Sequence, residues 1–591
     1  MQGDQPITVI EVDVEFCALT YGFSPCAALL GTTGNLKCFQ SRFTCQDRAN
    51  FTPGVLTLRF CSENVTPPKG ENIYPCITSH QSFSTSVNIA GMEDSEQRES
   101  AIGRRGTMNF VVRDFPSNDS LTDKYFDQRA TGVAQADGVG YDPEQYGMFF
   151  SKLFGRWPHY AGAACREITG WVRDGQLIVN RTTHMVLSTV DGPKNGRTWT
   201  IKAKDIFSLA DQKKAVIPAA NNGTLLSDIG DEVGATFTLA PEGIGAAEYP
   251  ASGRACIGTE IVTFTRSGDT VTLTGRGAGG TTISSHAAND TFQLTKRWVG
   301  ARIDAVYADI ISATTIDTGL WIPTSEWKAE VDRWGDDLRL TRELTVPTRV
   351  LDIIRSLTII GPSIWPDSEN QKIRLRMNRP VDTLAGDVIY TVKKDDLVSF
   401  EVEGRMEDRL THVFIHSSII DPTKNTEEPG NYAVHLMVFD GQAEEDYGSA
   451  VYKHIFCPWF TGDSYSEIRI IARRFLGRFV NPPSRYKIIL DIDDGPMDLA
   501  SVIDMTSDEF ASTTGMSETK RVQVIRRYEP VTSHEIEFLC QIFEWTGKGG
   551  YITPDDWPVY GDATEEQKLQ GAWISDGENN FPDNQPPYEV F

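Results

Sequence analysis

The stretch "ITVIEVDVEFC" at residues 7–17 decides how the chain begins to fold. Apolar side chains at Ile10, Val12 and Val14 alternate there with acidic ones at Glu11 and Asp13. Successive side chains of a strand point to opposite faces of a sheet, so this alternation predicts a strand with one buried face. The chain therefore begins with half-buried β-structure.

Short strand-like segments continue outward from this stretch. They include "VLTLRF" at 55–60, "GTMNFVVRDF" at 106–115 and "REITGWVRDGQLIVN" at 166–180. In the last of these, Arg-Asp-Gly at 173–175 separates two apolar runs, which indicates a hairpin turn. Many short strands joined by turns are typical of an antiparallel β-barrel or sandwich.

The composition changes twice beyond this region. Residues 211–297 are rich in Gly and in small β-prone residues, which indicates a small inserted β-module. The segments "VPTRVLDIIRSLTIIG" at 346–361 and "SYSEIRIIARRFLGRFVNPP" at 464–483 instead carry apolar residues at helical spacing. Ser464 and Glu467 match a capping box at the start of the second helix. Strand-like segments lie between the two predicted helices, so this part of the chain reads as α+β.

The patterns together predict a mainly β chain with α+β segments. At 591 residues it is too long for one hydrophobic core, so we expect several domains. The predicted segments are 1–90 (N-terminal strand and cysteine-rich segment), 91–210 (antiparallel β-barrel), 211–297 (inserted β-module), 298–525 (α+β) and 526–591 (irregular acidic C-terminal arm).

The charge balance is acidic, with a formal net charge of −25. A protein that clamps a duplex usually shows a basic stripe, and the sequence contains none. An acidic surface suits a channel through which DNA slides without sticking. The N-terminus does not match a signal peptide and no apolar run is long enough for a membrane helix, so we expect synthesis in a reducing cytosol.

Four of the ten cysteines lie close together near the N-terminus. They are Cys17, Cys26, Cys38 and Cys45, with the spacing C-x8-C-x11-C-x6-C. In a reducing compartment clustered thiols more often hold metal than form disulfides. Four thiolates without a nearby His suit either zinc or a [4Fe–4S] cluster. The alternative is four reduced thiols buried as small hydrophobes, and the nearest spare thiols that could replace a ligand are Cys61 and Cys76.

Common catalytic motifs fail on their sequence context. Gly275, Gly277 and Gly280 match G-x-G-x-x-G, but no helical segment follows them, so a turn is the better interpretation. His412 and His416 lie four residues apart in a β-patterned segment and not on a helix of the His-Glu-x-x-His type. The sequence contains neither a Gly-x-Ser-x-Gly elbow nor a phosphate-binding P-loop.

Three stretches carry a resemblance to a known family. The stretch "FCALTYGFSPCAA…KCFQSRFTCQDRANF" at 16–51 resembles the cysteine segment of the tail-tip hub proteins of long-tailed, siphovirus-like bacteriophages. This group includes the lambda tail-tip protein L, whose middle cysteine spacing differs, and the resemblance extends to gene transfer agents. Residues 253–294 resemble a small β-module of such proteins, in which an "IG-E" strand precedes "RG..GT…H". Residues 346–380 resemble their hub segment.

The resemblance implies a fold and a cofactor. The fold would be a multidomain β-barrel hub similar to contractile-tail hub proteins. The cofactor would be a structural [4Fe–4S] cluster, with zinc as the alternative. Carried over by position, the ligands are Cys17, Cys26, Cys38 and Cys45.

The resemblance also implies a function, partners and a location. The chain would be a non-enzymatic structural hub that closes the distal end of the tail tube and anchors receptor-binding or fibre proteins. Its partners would be two further copies in a homotrimer, the distal tail protein, a tail fibre or receptor-binding protein, the tape measure protein, phage DNA in passage without sequence-specific binding, and the host envelope. It would be made in the bacterial host cytoplasm and reside at the tail tip of the virion. The alternative is a tail-tip-associated cell-wall hydrolase or a redox enzyme.

Overall fold

The fold is described from a computed structural model of the chain. The structure describes residues 5–28, 38–88, 102–117, 148–381, 386–404, 409–462, 464–481, 484–491, 497–511, 514–529, 535–543, 548–552, 564, 571–572 and 588–590.

The N-terminal part of the chain forms a closed β-barrel. Its strands are β1 (Gln5–Cys17), β2 (Pro53–Ser62), β3 (Ile73–Phe83), β4 (Thr107–Arg113), β5 (Ala164–Arg173), β6 (Gln176–Lys194) and β7 (Thr198–Lys204). Around the barrel they follow the order β1-β2-β3-β4-β7-β6-β5, and β1 is antiparallel to both of its neighbours. The predicted first strand and the predicted hairpin are therefore confirmed. Asp174 and Gly175 form the hairpin turn with positive φ angles of 53° and 80°.

An aromatic cluster fills the barrel core. Helix α1 (Phe149–Arg156) places Phe149 and Phe150 among the barrel residues, with the Phe150 ring centroid 5.2 Å from that of Phe60. Large rings bury much apolar area, so these side chains supply a large part of the driving force that closes the barrel.

The barrel changes the boundary that the sequence placed at residue 90. Strands β1 to β3 lie before that position and β4 to β7 lie after it, yet all seven belong to one closed sheet. Hydrogen bonds join β3 to β4 across the boundary, and β1 to β5 closes the ring. The N-terminal segment is therefore part of the barrel, because period-2 patterning reveals strands but not their pairing partners.

A second β-unit follows the barrel. Its elements, after the short strand β8 (Val216–Ile217), are β9 (Thr224–Leu225), β10 (Thr236–Ala240), α2 (Ile244–Glu248), β11 (Ser252–Ile257), β12 (Glu260–Ser267), β13 (Thr270–Ala278) and β14 (Phe292–Leu294). The sheet order is β14-β11-β12-β13-β10-β9, and it has its own apolar core. This unit occupies the region where the sequence predicts an inserted β-module.

The chain then becomes helical. The elements are β15 (Lys296–Ala301), α3 (Ile303–Ser312), α4 (Thr318–Trp321), α5 (Thr324–Trp334), β16 (Leu340–Leu344), β17 (Thr348–Arg349), α6 (Val350–Thr358), β18 (Ser363–Asp367) and β19 (Lys372–Arg376). The apolar stripe predicted for α6 is confirmed, because Val350, Ile353, Ile354 and Leu357 are all buried. Strand β8 precedes the sheet of the inserted unit in the chain, and β17 follows it. The two strands pair with each other, so the segments that enter and leave the unit are hydrogen-bonded together.

The remaining elements form two sheets and two helices. They are β20 (Ile389–Lys393), β21 (Leu397–Glu403), β22 (His412–Ile419), β23 (Tyr432–Phe439), α7 (Gly441–Tyr447), β24 (Tyr452–Cys457), α8 (Tyr465–Phe479), β25 (Arg485–Asp491), β26 (Val502–Ala511), β27 (Ser517–Tyr528) and β28 (Glu535–Ile542). One sheet has the order β23-β22-β24, with α8 packed against β22 and β23. The other has the order β20-β26-β27-β28-β25-β21.

The second of these sheets changes the boundary predicted at residue 525. Strand β27 crosses that position, and β28 lies beyond it while pairing with both β25 and β27. Residues up to Ile542 thus belong to the α+β part of the chain. Beyond Phe543, the structure describes mainly the backbone of three short strands of the predicted C-terminal arm, β29 (Lys548–Ile552), β30 (Gly571–Ala572) and β31 (Tyr588–Val590).

Helix α8 begins where the sequence predicts it but without the predicted capping box. The Ser464 hydroxyl makes no capping hydrogen bond. It instead shares a 3.0 Å hydrogen bond with the Ser417 hydroxyl of β22. Ser464 is buried against the sheet, so a tertiary partner competes successfully for its hydroxyl. In the described part of the chain, no helix is long and apolar enough to cross a membrane.

The observed secondary structure is mainly β with α+β segments, spread over several sheets and separate cores. The predicted fold class is confirmed at that level.

Candidate functional site

The cysteine-rich segment is attached to the end of barrel strand β1. Cys17 is the last residue of β1 and is buried. Its amide donates a 2.6 Å hydrogen bond to the carbonyl of Gln40, and the Gln40 side-chain amide donates to the carbonyl of Cys17 at 3.1 Å. The Gln40 amide donates to the sulfur of Cys38 at 3.4 Å. Gln40 therefore couples Cys17 to Cys38.

A second connection joins the other two cysteines. The amide of Ala27, which follows Cys26, donates a 2.8 Å hydrogen bond to the carboxylate of Asp47, two residues after Cys45. The side chain of Asn50 also donates to that carboxylate, at 3.0 Å. These hydrogen bonds hold the pKa of Asp47 below its ordinary value. A charged Asp47 thus fixes the Cys26 turn beside the Cys45 turn.

The segment is also held to β1 by Arg42. Its guanidinium forms an ion pair with Glu15 at 2.9 Å and stacks over the Phe51 ring at 4.4 Å from the ring centroid. Glu15 belongs to β1, and Phe51 precedes β2. The turn between Cys38 and Cys45 is therefore fixed at both sides to the barrel.

The thiols influence one another electrostatically. Burial raises the pKa of the Cys45 thiol, a backbone hydrogen bond at Asp47 lowers it, and negative charge on Cys17 and Cys26 raises it further. Neighbouring thiolates repel one another, so several thiolates together need a cation to offset their charge. A metal ion or cluster supplies that cation and displaces the thiol protons.

The donor chemistry of the quartet fits a sulfur-ligated centre, although its side chains are not gathered around one point. None of the four cysteines is in a disulfide, and hydrogen bonds bring together the strand end and the turns that carry them. Within the described residues, no three His, Cys, Asp or Glu side chains are arranged as they stand to hold a metal ion. Binding would therefore require rotation of thiol side chains or a small adjustment of the turns.

Cys61 and Cys76 lie elsewhere in the barrel. Cys61 pairs with Val9, eight residues before Cys17 on β1, which is roughly 26 Å along the strand. Cys76 lies beside it on β3. Burial raises the pKa of the Cys61 thiol to about 11 and raises that of Cys76 as well. Both are core thiols and neither can join Cys17 in one centre.

A second cluster of polar residues lies in the inserted unit. The Glu260 carboxylate accepts two hydrogen bonds from Arg276, at 2.7 and 2.8 Å, and one from the Gly277 amide at 2.9 Å. It also contacts the His286 ring at 2.9 Å. Burial would raise the pKa of Glu260, but the hydrogen bonds, led by that from Arg276, lower it to about 2. These residues supply the "IG-E" and "RG…H" elements of the sequence motif, and their observed role is to hold β12, β13 and the following turn together.

A group of imidazoles lies on β22 and its neighbours. The sequence singles out His412 and His416, which are both on β22, but His416 contacts two other histidines. Its ring nitrogens lie 2.9 Å from His435 Nδ1 on β23 and 3.1 Å from His454 Nδ1 on β24. Burial and these two imidazoles lower the pKa of His416. Sequence spacing misses this group because the three residues meet only through strand pairing.

A cavity of about 560 Å³ opens between the barrel and the sheet that contains β26 to β28. Charged side chains line it and form ion pairs with one another. These pairs include Arg181 with Glu369 at 3.2 Å, Arg374 with Asp367 at 2.9 Å, and Arg527 with Asp498 at 2.9 Å. The ion pairs thus offset most of the charge around the cavity, and the lining does not specify a ligand class.

The chain matches no described protein family and no protein of curated function. Several solved structures have a partial likeness to it. A tail protein from Neisseria meningitidis MC58 is 9% identical, with a TM-score of 0.35, over 78% of this chain and 96% of that one. A chain of a native gene transfer agent particle is 11% identical, with a TM-score of 0.30, over 65% and 79%. A Francisella PdpA-VgrG complex chain is 8% identical, with a TM-score of 0.34, over 94% and 60%. Likeness at these scores carries no argument about function.

Proposed function

We propose that this chain is a structural hub of a phage-like tail tip, and that Cys17, Cys26, Cys38 and Cys45 hold a structural [4Fe–4S] cluster. The observation that carries the proposal is the pair of connections from Gln40 and Asp47, which couple the four cysteine-bearing turns at the end of β1. The family resemblance of the same stretch supports the assignment to a tail. Tube closure, fibre anchoring and the homotrimer follow from that resemblance.

In its described part, the cysteine-rich segment leaves large apolar side chains exposed. Phe23 and Phe43 lie in the turns between the cysteines, and they are 61% and 51% exposed. A segment this small rarely builds a sufficient core and usually depends on a metal or a covalent cross-link. A cluster held by four thiolates would provide that cross-link. The described hydrogen bonds would then orient the turns and keep them against the barrel.

The cluster is tested by analysis of the full chain purified without oxygen. We expect about four iron atoms and four labile sulfides per chain. Cys38→Ser and Cys45→Ser should each lower the iron content severalfold. Cys256→Ser is the matched control, because this buried thiol donates to the Gly258 carbonyl in the inserted unit, a bond that Ser retains.

The outcomes separate the parts of the proposal. Zinc in place of iron would contradict the cluster and leave the hub proposal standing. A metal-free wild-type chain, or equal metal in all three variants, would contradict a metal-binding quartet. Neither outcome alone decides where the protein resides.

The hub role is tested on particles. Gold-labelled antibody against the chain should mark one end of the tail, and a cryo-EM map should show three copies there. Particles that lack the chain should be uninfectious, with incomplete tail ends. Labelling elsewhere, or clearing of bacterial sacculi by the isolated chain, would contradict a structural tail-tip role and favour the hydrolase alternative.

A further inference from the structure

Arg478 is a buried cation close to the C-terminal end of α8. Only 5% of its surface is exposed. One guanidinium nitrogen donates to the Gln523 side-chain oxygen at 2.6 Å, and another donates to the Asn378 side-chain oxygen at 3.3 Å. The Phe543 ring stacks on it, with 4.8 Å from the guanidinium carbon to the ring centroid. These partners are neutral, and none is a carboxylate.

One donor of Arg478 has no partner. Its Nε–H makes no hydrogen bond with any described residue. A buried charge is costly unless it is paired, and a buried donor without a partner also costs free energy. Helix carbonyls near the end of α8 offset a part of the positive charge. The rest of the charge and the Nε–H still need a partner.

A small cavity lies beside this side chain. Its volume is about 10 Å³, close to the least that holds one water molecule, so it admits at most one small guest. Three arginines line it, Arg376, Arg379 and Arg478, together with Gln523 and Ser363. No carboxylate is among the described residues of the lining. Positive charge therefore converges on the cavity from β19, from the residues that follow it and from α8.

The local ion pairs leave one of these charges unbalanced. Arg379 pairs with Glu330 at 2.8 Å, and Asp387 pairs with both Arg379 and Arg376. Among the described residues, two carboxylates thus serve three guanidinium groups. Burial, and after it the positive charge of Arg376, lowers the pKa of Arg478, so these two guanidinium groups repel each other. An anion between them converts that repulsion into two attractions.

We propose that this cavity binds one small monovalent anion, of the size of chloride, which accepts the Nε–H bond of Arg478 and offsets the charge it shares with Arg376. The anion would join three parts of the fold at one point. These are α8 through Arg478, β19 through Arg376, and the C-terminal sheet through Gln523 of β27. It would act as a structural ligand that holds the helical part against that sheet.

The direct test is a crystal structure of the full chain grown in bromide. We expect an anomalous peak within hydrogen-bond distance of Arg478 Nε. A lone water there, or a carboxylate of the protein on Nε, would overturn the proposal. This test uses the wild-type protein and does not depend on any variant folding.

A second test compares thermal unfolding in chloride and in gluconate at equal ionic strength. Gluconate is too large for the cavity, so we expect a Tm lower by at least about 2 °C in gluconate. Arg478→Met should remove this difference. Arg469→Met is the matched control, because Arg469 lies exposed on the same helix and should retain the difference. Equal Tm values for the wild type in the two salts would overturn the proposal.

Discussion

Glu260 shows how a single residue can organise a motif. The sequence identifies the spacing of Gly258, Glu260, Arg276 and His286 by resemblance. The structure shows that the Glu260 carboxylate accepts hydrogen bonds from Arg276 and from the Gly277 amide and contacts the His286 ring. Both Glu260 and Arg276 have fully buried side chains. Because the pair is buried, removal of one partner leaves an uncompensated charge, which is far more costly than loss of a surface ion pair.

Glu260→Gln should therefore destabilise the protein. The amide cannot offset the charge of Arg276 and accepts fewer of the hydrogen bonds, so we expect a loss of about 3–5 kcal/mol in the free energy of unfolding of this unit. Urea unfolding followed by circular dichroism measures it. Glu242→Gln, at an exposed position of the same unit, should have little effect. Similar losses in the two variants would contradict the role of Glu260.

The lowered pKa of Glu260 also predicts a pH dependence. Its pKa is about 2 in the folded state against an ordinary value of 4.5. A depressed pKa means that the folded state favours the charged form, so the stabilisation is complete above about pH 4.5 and is lost as the pH falls toward 2. Unfolding curves between pH 5 and pH 2.5 should show the wild type approaching Glu260→Gln. A constant difference between them would contradict this assignment.

At the scale of elements, tertiary contacts override local signals at helix α8. The sequence correctly predicts the helix and its buried stripe, but the hydroxyl of Ser464 binds Ser417 and does not cap the helix. Capping boxes are local motifs, whereas the position of β22 beside the helix start is a property of the whole fold. The helix keeps its start because packing against β22 and β23 fixes it.

The two serines should therefore behave as a coupled pair. Ser464→Ala and Ser417→Ala should each cost about 1 kcal/mol in the free energy of unfolding, and the double variant should cost less than their sum. Glu467→Gln should have little effect, since Glu467 does not complete a capping box. Additive losses in the double variant, or a large loss in Glu467→Gln, would favour capping.

At the scale of the whole molecule, the closed barrel determines which parts of the chain depend on one another. Strand β1 has hydrogen-bonded partners on both sides, β2 and β5, so residues before and after position 90 close the same ring. The cysteine-rich segment is inserted between β1 and β2 and is thus fixed at both ends to the barrel. Its stability and that of the barrel are consequently linked.

This linkage can be tested with fragments. A fragment of residues 1–210 contains all seven barrel strands and should unfold cooperatively by circular dichroism. A fragment of residues 91–210 lacks three of them and exposes the edges of β4 and β5, so we expect aggregation or no cooperative transition. Cooperative unfolding of the shorter fragment would contradict a single barrel.

The sequence by itself determined the local features of this protein: the alternating strand at 7–17, the hairpin at 173–175, a helix within each of the segments 346–361 and 464–483, and the four clustered cysteines. These features depend on periodicity, turn chemistry and composition, which are properties of neighbouring residues. Only the tertiary structure decided that residues on both sides of position 90 form one barrel, that Gln40 and Asp47 couple the cysteine turns, and that Arg478 lies buried with no carboxylate partner among the described residues. Those facts depend on strand pairing and helix packing between residues that are distant in the chain. The local pattern around one residue does not show which distant residue it will contact.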